Sequence, residues 1–326
     1  MENQEYFEDR IGLQQLQDKV EAIKNEMAKV IVGQDKMIEL MIVALLADGH
    51  VLLEGVPGIA KTLSAKVLSK LISTQFSRIQ FTPDLMPSDV TGTSVFNAGS
   101  SKFEFNAGPV FSNIVLIDEI NRAPAKTQSA LFEVMEERQV TVDGKTYQME
   151  SPFLVFATQN PLEHEGTYRL PEAQLDRFLF KIVVNYPGIA DEFLILKNAS
   201  QRRGTNEMEH VQPVLSAEKL VEFQKVVQQV HVVDNLLQYI AEVVTRTRSH
   251  ASLYLGGSPR ASLNILKAGK AYAAIHGRDF VIPEDLIAVM EPILIHRVCL
   301  TPEKEMEGIQ ETQVIADIIN SVTIPR

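Results

Sequence analysis

The sequence predicts an α/β fold, in which helices cover both faces of a parallel sheet, followed by a smaller all-helical domain. Short apolar segments rich in β-branched and aromatic residues alternate with helical stretches in the first half of the 326-residue chain. Such alternation is typical of a parallel sheet. A glycine-containing loop joins the first of these strands to a helix, and after Tyr186-Pro187-Gly188 the strand pattern stops. We therefore expect two domains, residues 1–187 and residues 188–326.

The spacing of apolar residues predicts the individual elements. Residues 13–32 carry apolar side chains at intervals of three and four, which predicts an amphipathic helix, and a second helix follows at 37–47. The predicted strands are 50–54, 78–81, 114–118, 153–158 and 179–184. The predicted later helices are 127–138 in the first domain and 220–230, 236–248, 262–275 and 283–296 in the second.

Two segments that interrupt the alternation predict β-hairpins. Residues 93–96 and 102–105 flank a polar, glycine-containing stretch, which suggests a hairpin inserted in a helix. Residues 139–142 and 145–149 flank Asp143-Gly144, the strongest short-range hairpin signal.

The loop after the first strand has the pattern of a phosphate-binding loop. It reads Gly55-Val56-Pro57-Gly58-Ile59-Ala60-Lys61-Thr62, and a helical pattern continues from Leu63. Backbone N–H groups of such a loop and of the following helix converge on a polyphosphate. Lys61 would reach the β- and γ-phosphates, and the Thr62 hydroxyl would bind Mg²⁺. The usual pattern has glycine at position 60, and alanine tolerates positive φ poorly, so we expect a helical conformation at Ala60.

Polar residues at the ends of two later strands complete a candidate site for ATP hydrolysis. Asp118 could hold the metal beside Thr62, and Glu119 could act as general base towards the attacking water. Asn160 could contact both the γ-phosphate and that water. The structural alternatives are a helix cap or loop start at Asp118-Glu119 and an ordinary turn at Asn160-Pro161.

With these residues in place, the sequence resembles AAA+ ATPases and, among them, the MoxR group. Four blocks carry the resemblance in order along the chain, namely 54–62, 81–89, 118–128 and 157–178. The resemblance implies that residues 55–62 are Walker A, that 116–119 are Walker B, and that Asn160 is sensor 1. It implies binding of ATP and Mg²⁺, with the nucleotide site extending to Leu63. By analogy alone, Val32-Gly33-Gln34 would line the adenine pocket.

The same resemblance implies roles for two arginines. Arg177 would be the arginine finger that reaches the γ-phosphate bound by the neighbouring subunit, with an ion pair to Asp176 or Glu172 as the structural alternative. Arg122 is the second candidate for a contact between subunits. Arg260 falls at the sensor 2 position, and the sequence leaves open whether it acts within its own subunit or on the next one.

Composition narrows the functional classes. The net charge of −11 argues against a surface that coats nucleic acid, and the single cysteine, Cys299, fits a reducing cytoplasm. Neither a signal peptide nor a transmembrane segment is expected. The acidic residues Glu133, Glu136 and Glu137 follow helical spacing and are most simply a solvated face.

The resemblance implies a chaperone-like ATPase that remodels, matures or activates client proteins. The need for Arg177 between subunits predicts a homo-oligomer, by resemblance a hexamer, and such proteins often work with a separate von Willebrand factor A domain protein. The alternatives are a DNA-acting motor, a magnesium-chelatase-like metal-insertion subunit, and a nucleotide-gated scaffold without useful turnover. Against a DNA motor, the predicted hairpin tips offer little basic or aromatic chemistry.

Overall fold

The computed structural model describes residues 2–161, 168, 170–201 and 207–325. Its helices are α1 (Glu2–Ala28), α2 (Asp35–Leu46), α3 (Lys61–Leu71), α4 (Pro87–Thr91), α5 (Ala125–Glu137), α6 (Glu172–Leu175), α7 (Ile189–Gln201), α8 (Ala217–Gln229), α9 (Asp234–Ser249), α10 (Pro259–Ile275), α11 (Pro283–Leu294), α12 (Pro302–Met306) and α13 (Glu311–Ser321). Its strands are β1 (Val51–Glu54), β2 (Phe76–Gln80), β3 (Gly92–Asn97), β4 (Lys102–Ala107), β5 (Ile114–Asp118), β6 (Gln139–Val142), β7 (Lys145–Gln148), β8 (Leu154–Gln159), β9 (Phe180–Val183), β10 (Leu253–Leu255) and β11 (Cys299–Leu300).

The central sheet is parallel throughout and has the strand order β2-β5-β8-β1-β9. The predicted fold class is thereby confirmed, and each predicted strand agrees with an observed one to within two residues at either end. Because parallel strands end at the same edge of a sheet, the residues that follow β1, β5 and β8 are brought together. Those ends carry Glu54, Asp118 and Gln159.

Both faces of the sheet are covered by apolar side chains, as the near-continuous apolar runs of the strands require. Alternate residues of β5 enter two different cores, with Ile114 and Leu116 in one and Val115 and Ile117 in the other. The first core continues through α1, α2 and α3 into the helices after α7. The second lies under α4 and α5.

Both predicted hairpins are present. In the first, β3 and β4 pair from Gly92↔Ala107 to Asn97↔Lys102, and in the second β6 pairs with β7. The first hairpin lies between the short helix α4 and a 3-10 turn at Pro109–Phe111. Phe105 of the first stacks on Tyr147 of the second, with ring centroids 4.2 Å apart. The two hairpins therefore form one contiguous unit.

The described residues after 188 are mainly helical and include one short ribbon. β10 and β11 pair in an antiparallel manner, so the prediction that strands stop after Gly188 was wrong at this point. Strands of two or three residues are too short to show an alternating pattern. Among the described residues, no helix is long and apolar enough to cross a membrane.

His50 joins three elements just before β1. Its Nδ1 accepts a hydrogen bond from the Val155 N–H at 3.0 Å, and its Nε2 lies 3.2 Å from the Met135 carbonyl oxygen. The ring also packs edge-on against Phe153. Burial, the main cause, lowers the pKa of His50 to about 4, so the neutral ring is the native form.

His50 should therefore make the fold sensitive to acid. Between pH 6.5 and 4 the unfolded chain binds a proton at this position that the folded chain does not, so the free energy of unfolding falls as the pH falls. Across this whole pH window, the free energy of unfolding should fall by about 3 kcal/mol because of His50. His50→Gln keeps a donor and an acceptor without the titration, and urea unfolding should show a shallower pH dependence for it across this window. The exposed His276→Gln is the control, and equal slopes for the wild type and His50→Gln would contradict the assignment.

Candidate active site

The loop between β1 and α3 is held tightly against β9. A Cβ atom on Gly55 would lie 2.6 Å from the Val184 carbonyl oxygen and 2.6 Å from Ile59, so only glycine fits there. The side chains of Val56 and Ile59 pack into the core below the loop. These residues therefore shape the loop from underneath and leave its backbone on the outer side.

Ala60 has the left-handed backbone conformation, with φ +65° and ψ +14°. The prediction of a helical conformation at Ala60 was wrong. The turn into α3 requires positive φ at this residue whether or not a Cβ is present, and the left-handed conformation costs an L-residue about 1–2 kcal/mol. Gly58, with φ +87°, adopts positive φ without that cost.

Lys61 begins α3 and points back over the loop. Its side chain is buried, and Nζ donates to the Gly55 carbonyl and to the Gln159 carbonyl, the latter at 3.3 Å. The ammonium group thus lies between the phosphate loop and the end of β8. This is the position from which a lysine can neutralise phosphate charge.

Asp118 ends β5, which lies between β2 and β8 in the sheet, and is 5% exposed. One carboxylate oxygen accepts hydrogen bonds from the hydroxyls of Thr62 at 3.0 Å and Thr158 at 3.2 Å. The other accepts from Nε of Arg78 on β2 at 2.6 Å. The proposed metal ligands Thr62 and Asp118 are therefore adjacent. A hydroxyl and a carboxylate oxygen side by side are the hard donors that Mg²⁺ prefers, so the residues fit this ion.

Glu119 is held in place by contacts from three directions. It has the left-handed backbone conformation, with φ +57°, and its N–H donates to Thr158 Oγ1 at 3.0 Å. Its carboxylate accepts from Gln80 of β2 at 2.8 Å and forms an ion pair with Arg122 at 3.0 Å. Arg122, the second candidate for a contact between subunits, thus binds the carboxylate of its own chain.

These groups surround an open cleft of about 380 Å³ at the carboxyl edge of the sheet. Its lining consists of Pro57, Gly58, Ala60, Lys61, Thr62, Leu63, Arg78, Gln80, Asp118, Glu119, Thr158 and Asn160. Asn160, which follows β8, is 7% exposed and is brought to the same cleft as Lys61 and Glu119. Residues 162–167 and Arg169 of the fourth sequence block lie outside the described residues.

A second cavity of about 370 Å³ lies beside the end of β9. Gly33 and Gln34 line it together with Asn185 and Tyr186, and Gln34 Nε2 donates to the Asn185 carbonyl at 3.0 Å. Val32 is half-buried and is not part of the lining. The assignment of the adenine pocket to Val32-Gly33-Gln34 remains a prediction.

Arg177 and Arg260 do not line the cleft that holds Lys61 and Asp118. They meet at a smaller cavity of about 180 Å³, where both pair with Glu136 of α5. Nε of Arg177 lies 3.6 Å from the Glu136 carboxylate and is buried without a hydrogen bond among the described residues. Arg260 also lies 3.9 Å from Asp176. Glu136 is exposed, as its helical spacing predicted, but its carboxylate also compensates two guanidinium charges.

Arg297, after α11, secures the chain on both sides of Arg177. It is 5% exposed, and its Nε donates to the Asp176 carboxylate at 2.6 Å. Its Nη2 donates to the carbonyls of Asp176 at 2.9 Å and Phe178 at 2.6 Å, and Nη1 donates to Leu179 at 3.3 Å. Burial, the main cause, lowers the pKa of Arg297 to about 10, which leaves it charged at neutral pH.

Sequence reasoning missed four residues of this arrangement: Arg78, Gln80, Glu136 and Arg297. Arg78 and Gln80 alternate with Ile79 along β2, which was a usable sign of one polar face on a strand that ends at the cleft. Arg297 stands in an otherwise apolar run, which was a sign of a buried ion pair. Nothing in the helical spacing of α5 distinguished Glu136 from its acidic neighbours.

Two family models match the chain where these sites lie. Residues 50–180 match the ATPase family associated with various cellular activities (AAA), and residues 245–318 match the AAA lid domain. The chain is therefore an AAA+ ATPase, a class whose members bind nucleotide.

Comparison with whole proteins shows to which family of AAA+ ATPases the chain belongs. The chaperone MoxR1 of Mycobacterium tuberculosis is 46% identical, over 92% of this chain and 81% of its own length. The uncharacterised protein YeaC of Bacillus subtilis is 50% identical, over 91% of this chain and 92% of its own length. The chain also superposes on the crystal structure of a candidate ATPase from Cytophaga hutchinsonii. The superposition covers all of both chains, with 43% sequence identity and a TM-score of 0.90. The chain belongs to the MoxR family.

Arg297 should act as a positioning residue for Arg177. Arg297→Met removes the donors that hold both flanks of Arg177 and leaves Asp176 without its buried partner, so we expect a stability loss of about 3–5 kcal/mol. Misplacing a transition-state contact by about 1 Å can cost about 10²-fold in rate. On the expectation that Arg177 is the arginine finger, kcat below the melting temperature should fall by about this factor, with ATP affinity retained.

Arg278→Met is the matched control. Arg278 forms a two-bond ion pair with the buried Asp285, remote in sequence from Arg177. This variant should lose stability but keep kcat. Equal kcat losses in the two variants would show that Arg297 contributes only stability.

Proposed function

We propose that this protein is a Mg²⁺-dependent ATPase that works as a ring, with each active site completed by a neighbouring subunit. The observation that carries the proposal is the separation of two sets of residues. Lys61, Thr62, Asp118, Glu119 and Asn160 share one cleft, whereas the two arginines lie at another surface of the chain.

The cleft residues have complementary chemical roles in this proposal. Lys61 and the N–H groups of the loop bind the phosphates, and Thr62 and Asp118 hold Mg²⁺, which would neutralise charge on the transferring phosphoryl group. Glu119 accepts a proton from the attacking water, and Asn160 orients that water. Gln80 and Arg122 hold the Glu119 carboxylate in the cleft, within reach of the water position.

Arg177 and Arg260 act on the neighbour's nucleotide. Both are absent from the lining of their own cleft and both share Glu136, so we assign Arg260 to the same role between subunits as Arg177. The contacts of Arg122 with its own Glu119 favour Arg177 as the arginine finger. An arginine finger typically contributes about 10³–10⁵ in rate.

The assembly is a homo-oligomer, for which we propose a hexamer in the cytoplasm. Its function is chaperone-like remodelling or maturation of client proteins, in keeping with the name of the mycobacterial relative. A separate von Willebrand factor A domain protein is the proposed partner. ATP hydrolysis would move the coupled hairpins and the helical region after residue 188.

One observation favours a second candidate function, a DNA-acting motor. Phe96 and Phe103 lie next to the tip of the first hairpin, are 55% and 71% exposed, and contact each other edge-on at 5.3 Å. Exposed aromatic rings can stack on bases. ATPase stimulation by single-stranded DNA that weakens with salt and is lost in Phe103→Ala would support this candidate over the chaperone.

The roles of Lys61 and Glu119 can be separated by substitution. Glu119→Gln keeps the size of the side chain and removes the base, so it should bind ATP normally and hydrolyse it at least 10²-fold more slowly. Lys61→Ala removes the phosphate-binding charge and should lose ATP affinity instead. Calorimetry and a turnover assay check the two results. Wild-type turnover in Glu119→Gln, or wild-type ATP binding in folded Lys61→Ala, would refute the respective role.

A shared active site makes a specific prediction for mixed assemblies. Arg177→Ala alone should bind ATP but lose turnover by about 10³-fold or more. Mixing it with Glu119→Gln should restore part of the activity, because some interfaces then combine an intact Glu119 with an intact Arg177 from the neighbour. Replacing the second partner by the double variant Arg177→Ala/Glu119→Gln is the control and should give no rescue. Absence of rescue in rings that mass measurement shows to be mixed would place Arg177 in its own site.

A further inference from the structure

Helix α7 carries a stripe of large apolar side chains that its own chain leaves exposed. Ile189, Phe193 and Leu196 recur at intervals of four and three, which places them along one side of the helix, and they are 91%, 67% and 64% exposed. Leu194 and Ile195, which are 43% and 39% exposed, lie on the other side of the helix. An isolated helix of 13 residues is only marginally stable in water. A covering partner would therefore both hide the stripe and stabilise the helix.

The first turn of α7 is fixed beside the nucleotide cleft. The Val184 N–H donates to the Glu54 carbonyl at 2.8 Å, directly before the phosphate loop, and Val184 precedes Ile189 by only five residues. Five residues span at most about 17 Å. Asp191 lies so close to Gly33 that a Cβ there would be 2.8 Å from its side chain. The helix thus emerges between the phosphate loop and the second cavity.

We propose that the apolar stripe of α7 docks on a second copy of this chain, in the same contact that brings Arg177 and Arg260 to the cleft. The inference rests on the proposed sharing of the active site. A subunit whose arginines reach the γ-phosphate must cover the mouth of the cleft. A standard interface buries roughly 800 Å² per partner, which is a patch roughly 30 Å across. A contact of that size, centred on the cleft, extends about 15 Å in each direction, so we place the start of α7 at its edge.

The face of α10 that carries Arg260 suits this partner. Leu263 and Lys267 stand three and seven residues after Arg260 on the same side of the helix, and Leu263 is 62% exposed. In the first turn of α7, Glu192 is exposed and borders the stripe, whereas Asp191 packs against Gly33 of its own chain. Acidic and apolar groups on one surface thus match basic and apolar groups on the other. The contact joins the α7 surface of one subunit to the α10 surface of the next, and a ring requires such a contact between two different surfaces.

The test is the oligomeric state of Phe193→Glu/Leu196→Glu, measured by sedimentation velocity and mass photometry with ATP present. The matched control is Val233→Glu/Phe280→Glu, which places two charges on another apolar surface, where each residue is 49% exposed. We expect the α7 variant to stay monomeric at concentrations at least tenfold above those at which the wild type and the control assemble. ATP binding by the monomer should remain, which shows that the fold is intact.

Assembly of the α7 variant at wild-type concentrations would overturn the inference, and so would equal loss of assembly in the control. Hydrogen exchange of the wild type gives a second, variant-free measurement, and amides of α7 should become protected on assembly while those around Val233 do not. Normal rings in the α7 variant, together with rescue in the Arg177 mixing experiment, would reject the docking role alone. A wild type that never assembles and has no need of Arg177 would reject the shared site itself.

Discussion

Arg297 is almost fully buried, and its guanidinium must therefore find partners for both its charge and its N–H donors. It finds them in the Asp176 carboxylate and in backbone carbonyls of residues 176, 178 and 179. This contact joins the helical region after residue 188 to the segment that carries Arg177. A movement of Arg297 would therefore be transmitted directly to the segment that carries Arg177.

A single acid completes the same arrangement. Glu136 faces Arg177 and Arg260 together, so the position of each guanidinium depends on the other. The pairing is partly exposed, and a phosphate on a neighbouring subunit would compete with Glu136 for both arginines. In the proposed cycle Arg177 and Arg260 would have to exchange partners, which a contact of moderate strength allows, whereas the buried pair of Arg297 and Asp176 is suited to remain in place.

The sheet, the hairpins and the grouping of the candidate site residues at one cleft could be predicted from the sequence because each depends on a local pattern. A buried strand followed by a glycine loop and Lys61-Thr62 has few alternative structures, and Asp143-Gly144 specifies a tight turn. Ala60 was mispredicted because the turn geometry overrides the preference of the residue that occupies it. Glu136 and Arg297 were missed because their partners lie far away in the chain, and helical or apolar periodicity contains no information about such pairs. The ribbon of β10 and β11 was missed because its strands are too short to form a pattern.

The central claim is that Arg177, held by Arg297, serves the nucleotide of the adjacent subunit. Electron cryo-microscopy of assembled Glu119→Gln with ATP tests it most directly, through the distance from the Arg177 guanidinium to the nearest γ-phosphate oxygen. The account predicts a charge-assisted hydrogen bond of about 2.7–2.9 Å to the neighbour's phosphate, with the pair of Arg297 and Asp176 preserved. An Arg177 that contacts the phosphate of its own subunit, or that still faces Glu136 while every site holds ATP, would contradict it.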